Sequence, residues 1–497
     1  MDEKREKKGA GLPYSIILAL NGAFGIEFFV LLEHATFLAG PAVVLSLFLC
    51  GIITMITLFS YCELGSSISK VGGEYTFAKA AFGGFTAFLT GWMRWVSSVA
   101  TIALAATGFA QFFYYFVPVS PSVVAILLIL VFTFISVRGT KAVDIITVFT
   151  FIGVFALVIA VGLEEIIESG GIQFTSIDSF MPKGIWGVLA SIMYSFSMFV
   201  GARAVVAGSP QMKNPKKDLP RAILLSIAII TVLYCCVAFV VVNVIPSETT
   251  LSSPLLIYVA KKLLGDWGGL LMTVAGLSAA LMSLTTTMMV QRSIIRGLSR
   301  DGYLPKFLLS SKSKIGRYMS VAIGSAIAIL LSVTGLIVFI GYVAGFASLM
   351  VFAFVNLSLI QLRKKMPRMD RPFKAPLYPY TPLIGIILTI ILILFIERSA
   401  LILGFEFIVI AVIVYHLKMV GYERLRLAVG GVNLGIGGIS ILILYLAMKN
   451  LISLPIPQNI KEKVFFFEGL IAIVYLLAGI LYLIPRKRRR RIGRFGV

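Results

Sequence analysis

Among the ionisable residues inside long apolar runs of this chain, three carry the argument: Glu27, Arg94 and Arg203. A charge in hydrocarbon costs at least ~2.5 kcal/mol unless it is paired or wetted, so such positions mark sites or pathways. Two of the three directly follow helix-weakening residues. Asn21, Gly22 and Gly25 precede Glu27 in the run Ala19-Leu-Asn-Gly-Ala-Phe-Gly-Ile-Glu-Phe-Phe29, and Gly201 precedes Arg203 in Tyr194-Ser-Phe-Ser-Met-Phe-Val-Gly-Ala-Arg-Ala204. Glycine disfavours a helix by up to ~1 kcal/mol relative to alanine. Both runs therefore read as helices broken at membrane depth. Freed amides at a break suit a carboxylate, and freed carbonyls suit a cation or an ammonium. Close helix packing explains small residues equally well, but it does not explain the charges beside them. A third polar stretch, Ser283-Leu-Thr-Thr-Thr287, offers the hydroxyls of Ser283, Thr286 and Thr287 as ion ligands or as interhelical glue.

Other chemistries find little support. The cysteines Cys50, Cys62, Cys235 and Cys236 lie in or beside apolar runs and lack metal-ligand spacing, so they read as small buried hydrophobes. His34 and His416 are far apart in sequence. No nucleophile–base pair, metal cluster or phosphate-cradling glycine loop emerges. An enzyme, a metal site, a cofactor and ATP as energy source are all disfavoured.

The elements that must position the three charges follow from composition. The chain has 497 residues, of which 59% are hydrophobic and 13% charged. A soluble domain carries roughly 25% charged residues, so the expected solvent is lipid. Spans of ~20 apolar residues select helices over a barrel. The apolar segments run 14–37, 41–64, 84–117, 121–138, 142–166, 184–208, 221–245, 267–290, 319–340, 342–362, 382–397, 400–417, 427–447 and 464–485, fourteen in all. Gly341 and Gly345 stand at the break between the ninth and tenth, which read as a tight hairpin. With the N-terminus in the cytoplasm, nearly all lysines and arginines fall on the cytoplasmic side, and Glu164, Glu165, Glu168 and Asp178 fall outside. Both termini are then cytoplasmic, and the first apolar run is a retained helix. The net charge of +22 is mostly this bias. The tail Arg486 to Arg491 suits anionic lipid head groups at ~1 kcal/mol per basic residue, rather than nucleic acid.

The two broken segments are the first and the sixth, five spans apart. An odd number of crossings inverts orientation, which points to an inverted five-plus-five repeat with its site at the breaks. The expected organisation is a cytoplasmic segment 1–13, a ten-helix core 14–365, four additional helices in 366–485 and a basic tail 486–497.

At these residues the chain resembles the amino acid–polyamine–organocation superfamily of transporters. The matching stretches are Gly22 to Ile26; Ala39-Gly40-Pro41, Tyr61-Cys-Glu63-Leu64, Gly72-Gly73-Glu74-Tyr75 and Thr90-Gly91-Trp92; Met212-Lys-Asn-Pro-Lys-Lys-Asp-Leu-Pro-Arg221; and Arg292 with Leu298-Ser-Arg-Asp-Gly-Tyr-Leu-Pro305. They occur in order at family spacing across 14–307, and the fourteen-segment layout is similar to that of the cationic amino acid transporter branch. The resemblance implies an all-α polytopic permease of the cell membrane that works by alternating access and is driven by protons or sodium. It implies that backbone groups of Gly22, Ala23, Phe24, Gly25 and Ile26 meet the substrate carboxylate. Phe199, Gly201 and Ala202 would line the opposite side.

The departures matter as much. Arg203 stands twelve residues before Pro215, where the family usually carries an acid, and Glu27 stands where an apolar residue is usual. Their opposite signs suggest a buried Glu27–Arg203 pair, with Arg94 as the rival partner for Glu27. Gly153 replaces the lysine of some proton-coupled relatives. The carboxylate in the first segment favours protons over sodium. An amino acid substrate is the leading expectation. A polyamine or other organic amine, or a membrane amino acid sensor that does not transport, is the alternative.

Overall fold

The structure, a computed structural model, describes residues 11–68, 72–136, 144–171, 176–208, 212–245, 253–305, 308, 314–419, 422–448, 469 and 472–480. The basic tail and most of the fourteenth apolar segment lie outside them. The helices, in chain order, are α1 (Leu12–Ala23), α2 (Ile26–Ala39), α3 (Val43–Ser67), α4 (Glu74–Ala81), α5 (Gly84–Tyr114), α6 (Pro121–Ser136), α7 (Asp144–Glu168), α8 (Ile177–Phe180), α9 (Gly184–Phe199), α10 (Ala204–Gly208), α11 (Pro215–Val244), α12 (Leu255–Arg300), α13 (Lys314–Val333), α14 (Ile337–Lys365), α15 (Tyr380–Ile393), α16 (Arg398–Met419) and α17 (Tyr422–Met448). Among the described residues, eight helical stretches are long and apolar enough to cross a membrane, and four shorter apolar helices accompany them. The protein is thus an all-α, multi-pass membrane protein.

Its outer surface obeys the rules of lipid, not water. Phe134, Leu330 and Trp267 are exposed to 62%, 70% and 76%, an arrangement that would aggregate a soluble protein. Inside, α5 is the axis: α12 and α14 pack along it, and α13, α6 and α4 flank it. A second group joins α3 to α11 and α9, and α1 to α11. Met1–Ala411 form one compact unit and Val412–Val497 another.

The first apolar segment does break. Phe24 and Gly25 leave helical geometry between α1 and α2, and Gly25 is extended, with φ −85° and ψ 169°. The sixth segment breaks differently. It tightens into a 3₁₀ turn, Val200–Arg203, between α9 and α10. The two breaks face one another at their glycines. A Cβ on Gly201 would overlap the Gly22 carbonyl oxygen, and one on Gly22 would overlap the Gly201 oxygen. Glycine is required on both chains because their backbones touch.

The ninth and tenth segments do not pair as the expected tight hairpin: α13 packs on α5 and α6 and α14 chiefly on α5 and α15, and the break between them lies earlier than expected. α13 ends at Val333 and α14 begins at Ile337, with Gly335 left-handed at φ 65°. Gly341 and Gly345 sit inside α14, where they admit Leu31, Tyr194 and Met193. They are packing glycines, not terminators.

The quoted motifs lock elements together. Glu63 on α3 is 0% exposed and receives Arg363 in two hydrogen bonds of 2.9 and 2.6 Å. Arg371 Nε reaches it at 3.1 Å, and the Ala375 amide donates to it at 2.7 Å. Tyr75 donates its hydroxyl to Asp301 at 2.5 Å, and Lys79 pairs with the same carboxylate at 2.6 Å, so α4 is tied to the end of α12.

Candidate functional site

Between the broken segments lies a polar cavity of about 40 Å³. That is room for roughly three water molecules at ~10–15 Å³ each. Gly22, Ala23 and Glu27 form one wall, Gly201, Arg203 and Ala204 a second, Arg94, Ser97 and Thr101 of α5 a third, and Ser283, Thr286 and Thr287 of α12 a fourth. The wall residues thus come from four stretches of chain far apart in sequence.

Glu27 lies in the first turn of α2, whose N-cap Gly25 supplies no side-chain cap. Unpaired amides and the helix dipole make this end attractive to an anion. Here the protein's own carboxylate takes the place. Glu27 accepts from its own backbone amide and from Ser283 Oγ, the latter at 3.2 Å. The Ile26 amide donates to the same Ser283 oxygen at 3.2 Å. Gly25 is needed for space, since a Cβ there would overlap the Glu27 carboxylate and stand 2.6 Å from Ser283 Oγ. Ala23 contributes its carbonyl to the Tyr234 hydroxyl at 2.9 Å.

Arg203 is 2% exposed and reaches away from Glu27 into a network of its own. Its Nη2 donates to Ser97 at 3.1 Å and to Ser348 at 3.0 Å, and its Nε stands 3.7 Å from Glu74 Oε1. The guanidinium also lies 5.0 Å from the Phe352 ring centroid. Arg94 takes the same Glu74 oxygen at 3.1 Å and Ser98 at 3.4 Å. The expected Glu27–Arg203 ion pair is therefore corrected. Among the described residues, the carboxylate within 4 Å of Arg203 is Glu74, and Arg94 is drawn to it as well. Glu74 was not singled out as a site residue because it lies in a short helix after a glycine turn, outside any apolar run. Its only sequence signal was its place in the Gly72-Gly73-Glu74-Tyr75 motif.

Two buried cations thus share one carboxylate. Among the described residues, Arg203 Nε has only the 3.7 Å ion pair with Glu74, and the Tyr61 hydroxyl adjoins the guanidinium. Across the cavity, half-buried Glu27 has hydroxyl and amide donors but no cation within ion-pair distance among the described residues.

The remaining expected site residues lie behind the wall. Phe24 stacks on Phe151 with centroids 4.6 Å apart. Phe199 meets Tyr234 edge-on at 5.5 Å, and Ala202 is buried. Gly25 and Ile26 set the position of Glu27 and Ser283 without lining the cavity.

A multi-pass helical protein with two facing helix breaks around a polar cavity is a transporter architecture. The model of a family described as amino acid permease matches residues 11–417. The chain belongs to the amino acid permease family. It is similar to the branched-chain amino acid permease BcaP of Bacillus subtilis, with 27% identity over 85% of this chain and 96% of that protein. It is also similar to the methylthioribose transporter of the same organism, at 26% over 70% of this chain and 79% of the relative. The vacuolar cationic amino acid transporter 4 of Arabidopsis thaliana matches at 27% over 66% of this chain and 58% of its own length. Residues 418–497, including α17, lie beyond the family match.

Proposed function

We propose that this amino acid permease is a secondary transporter that carries an α-amino acid across the cell membrane by alternating access to the cavity between the broken segments. One observation carries the reading. The cavity is lined by a carboxylate, Glu27, on one wall and on the others by two guanidinium groups, Arg94 and Arg203, that share the single carboxylate of Glu74. A zwitterion answers both charges at once. An amine without a carboxylate would leave the guanidinium cluster with its excess charge, and a neutral sugar thioether of the kind named for one relative would answer neither.

Proton coupling is part of the proposal. Glu27 is a carboxylate at the cavity, and α7 carries no lysine. Ser283, Thr286 and Thr287 are the hydroxyls that sodium would use instead. Both termini are placed in the cytoplasm on the charge bias of the loops, and anionic lipid is the partner of the basic tail.

Counterflow in proteoliposomes tests the function. Vesicles loaded with unlabelled amino acid should accumulate external radiolabelled amino acid. A panel of neutral, cationic and acidic amino acids, a diamine and methylthioribose distinguishes the substrate classes. Absence of amino acid counterflow with intact protein would favour a sensor. Accumulation that follows a sodium gradient and ignores a pH gradient would overturn proton coupling.

A further inference from the structure

We infer that Arg203, Glu74 and Arg94 form an exchangeable ion cluster that closes the cytoplasmic side of the cavity, with Arg203 as the member that leaves when that side opens. Arg94 then keeps Glu74 neutralised, so opening never isolates a carboxylate in the membrane. The inference rests on the alternating access proposed above and supplies a device that permits it.

The argument begins with what the cluster joins. The 3₁₀ turn Val200–Arg203 packs its main chain chiefly on α1. The Arg203 side chain carries it across to three other helices. Its Nη2 donates to Ser97 of α5 at 3.1 Å and to Ser348 of α14 at 3.0 Å, and its Nε faces Glu74 of α4 at 3.7 Å. Those three helices pack on one another, and the pair of Lys79 with Asp301 ties α4 to α12 as well. One side chain thus spans the seam between the broken segments and the helices around α5. On the charge bias of the loops this seam is cytoplasmic: Arg203 follows the break of a segment that runs inward, and Glu74 precedes one that runs outward. Arg203 borders the cavity, but its hydrogen bonds run into the wall.

The second observation is the balance of charge. Glu74, Arg94 and Arg203 are all buried. Both arginines turn to the same oxygen, Glu74 Oε1, but not equally. Arg94 Nε reaches it at 3.1 Å in a hydrogen bond, whereas Arg203 Nε stands at 3.7 Å, too far for one. A buried pair of one cation and one anion is hard to separate, because each charge is left uncompensated. Here the anion has a second and closer cation. When Arg203 withdraws, Glu74 keeps Arg94, and what departs is the surplus charge, toward cytoplasmic water. Repulsion from Arg94 loosens Arg203 further. In the closed form the Ser97 and Ser348 hydroxyls and the Phe352 ring, 5.0 Å from the guanidinium, make up for the long ion pair. Closure therefore rests on contacts that can form and break within a transport cycle.

Thiol labelling from each side of the membrane reads the closure without any substrate, so it can fail separately from counterflow. Thr101 of α5 lines the cavity. In a background carrying Cys50→Ala, Cys62→Ala, Cys235→Ala and Cys236→Ala, Thr101→Cys is exposed to a membrane-impermeant methanethiosulfonate in right-side-out and in inside-out vesicles. Arg203→Gln and Glu74→Gln should each raise the cytoplasmic labelling rate about tenfold or more, the scale of one hydrogen bond to a charged group, and lower the external rate. Arg94→Gln should do the reverse and lower the cytoplasmic rate about threefold or more, because Arg203 then holds Glu74 alone. Arg203→Lys keeps the charge without the planar fork and should fall between the natural protein and Arg203→Gln. Where a glutamine variant yields too little folded protein, conservative variants decide: Glu74→Asp shortens the reach to both arginines and should raise the cytoplasmic rate, and Arg94→Lys should lower it. A raised cytoplasmic rate in the Arg94 variants would make the three charges a purely structural network and overturn the exchange. Rates raised from both sides in the Arg203 and Glu74 variants would mean loosened packing and overturn the closure, as would unchanged rates. Any of these results with amino acid counterflow intact would leave the proposed function standing. Failure of the natural protein to show counterflow would instead remove the proposed function, and the closure with it.

Discussion

Ser283 holds both the Ile26 amide and the Glu27 carboxylate, so one hydroxyl fixes the start of α2 and the charge beside it. Removing it strands a backbone donor and frees the carboxylate. A hydrogen bond to a charged group contributes ~1.5–3 kcal/mol. Ser283→Ala should therefore lower transport efficiency by about tenfold or more, while Ser283→Thr retains the hydroxyl and should be milder. Uptake kinetics on matched amounts of inserted protein check this. Gly25→Val should be more severe. Even the first carbon of the new side chain overlaps Glu27, so uptake should be abolished while the protein still inserts. Normal uptake by Gly25→Val would remove the α1–α2 break from the site. At this scale the sequence was readable where a residue contradicts its surroundings. Glu27, Arg94 and Arg203 stood out because charge in an apolar run is expensive. Their partners did not. Choosing between Glu74 and Glu27 for Arg203 depends on how α4 folds against α5, and no spacing in the sequence encodes that. Ser97 and Ser348 were equally invisible, because serines in membrane helices usually bond only their own backbone or a neighbouring helix.

The motifs acquire a mechanical meaning once the helices are assembled. Glu63 on α3 gathers Arg363 and Arg371, and with them the stretch that follows α14. Breaking a buried ion pair from one side leaves an uncompensated charge, worth ~3–5 kcal/mol in soluble proteins. Glu63→Gln should thus lower thermal stability in detergent markedly, and Glu63→Asp should recover part of it. Asp301 is a milder case. Partial burial raises its carboxyl, but hydrogen bonds from Lys79 and Tyr75 outweigh this and hold it below its ordinary value. Its folded-state pKa is depressed, so its contribution is present above the unfolded-state pKa and fades as pH falls through the folded one. The loss expected from Asp301→Asn should accordingly shrink in acid; a stability difference that grows with acidification would contradict this. Helix existence was legible from hydropathy, whereas helix ends were less so. Gly335 and Gly341 are the same residue type in the same apolar stretch, yet one ends a helix and the other makes room for Tyr194 and Leu31. Hydropathy cannot separate these uses because both remove a side chain.

For the molecule as a whole, the sequence is informative through its charge asymmetry. The proposed orientation predicts that a reporter fused after Val497 reads cytoplasmic. An external reading would remove the fourteen-crossing count and the even number of spans on which the topology rests. Class and family were legible because lipid imposes one solution on the backbone, and because the motifs of 14–307 are spread across several helices. The inverted repeat was inferred from two breaks five segments apart. The structure gives those breaks different forms, extended chain at Gly25 and a 3₁₀ turn at Val200–Arg203. The contact between Gly22 and Gly201 has a kinematic consequence. Two helices separated by interdigitated side chains can slide by repacking that layer, but two main chains in contact have no such layer to shear. The pair should behave as one lever with few internal degrees of freedom. Its freedom lies at the rim, where Arg203 reaches α4 and α5 through long side chains that can let go and catch again.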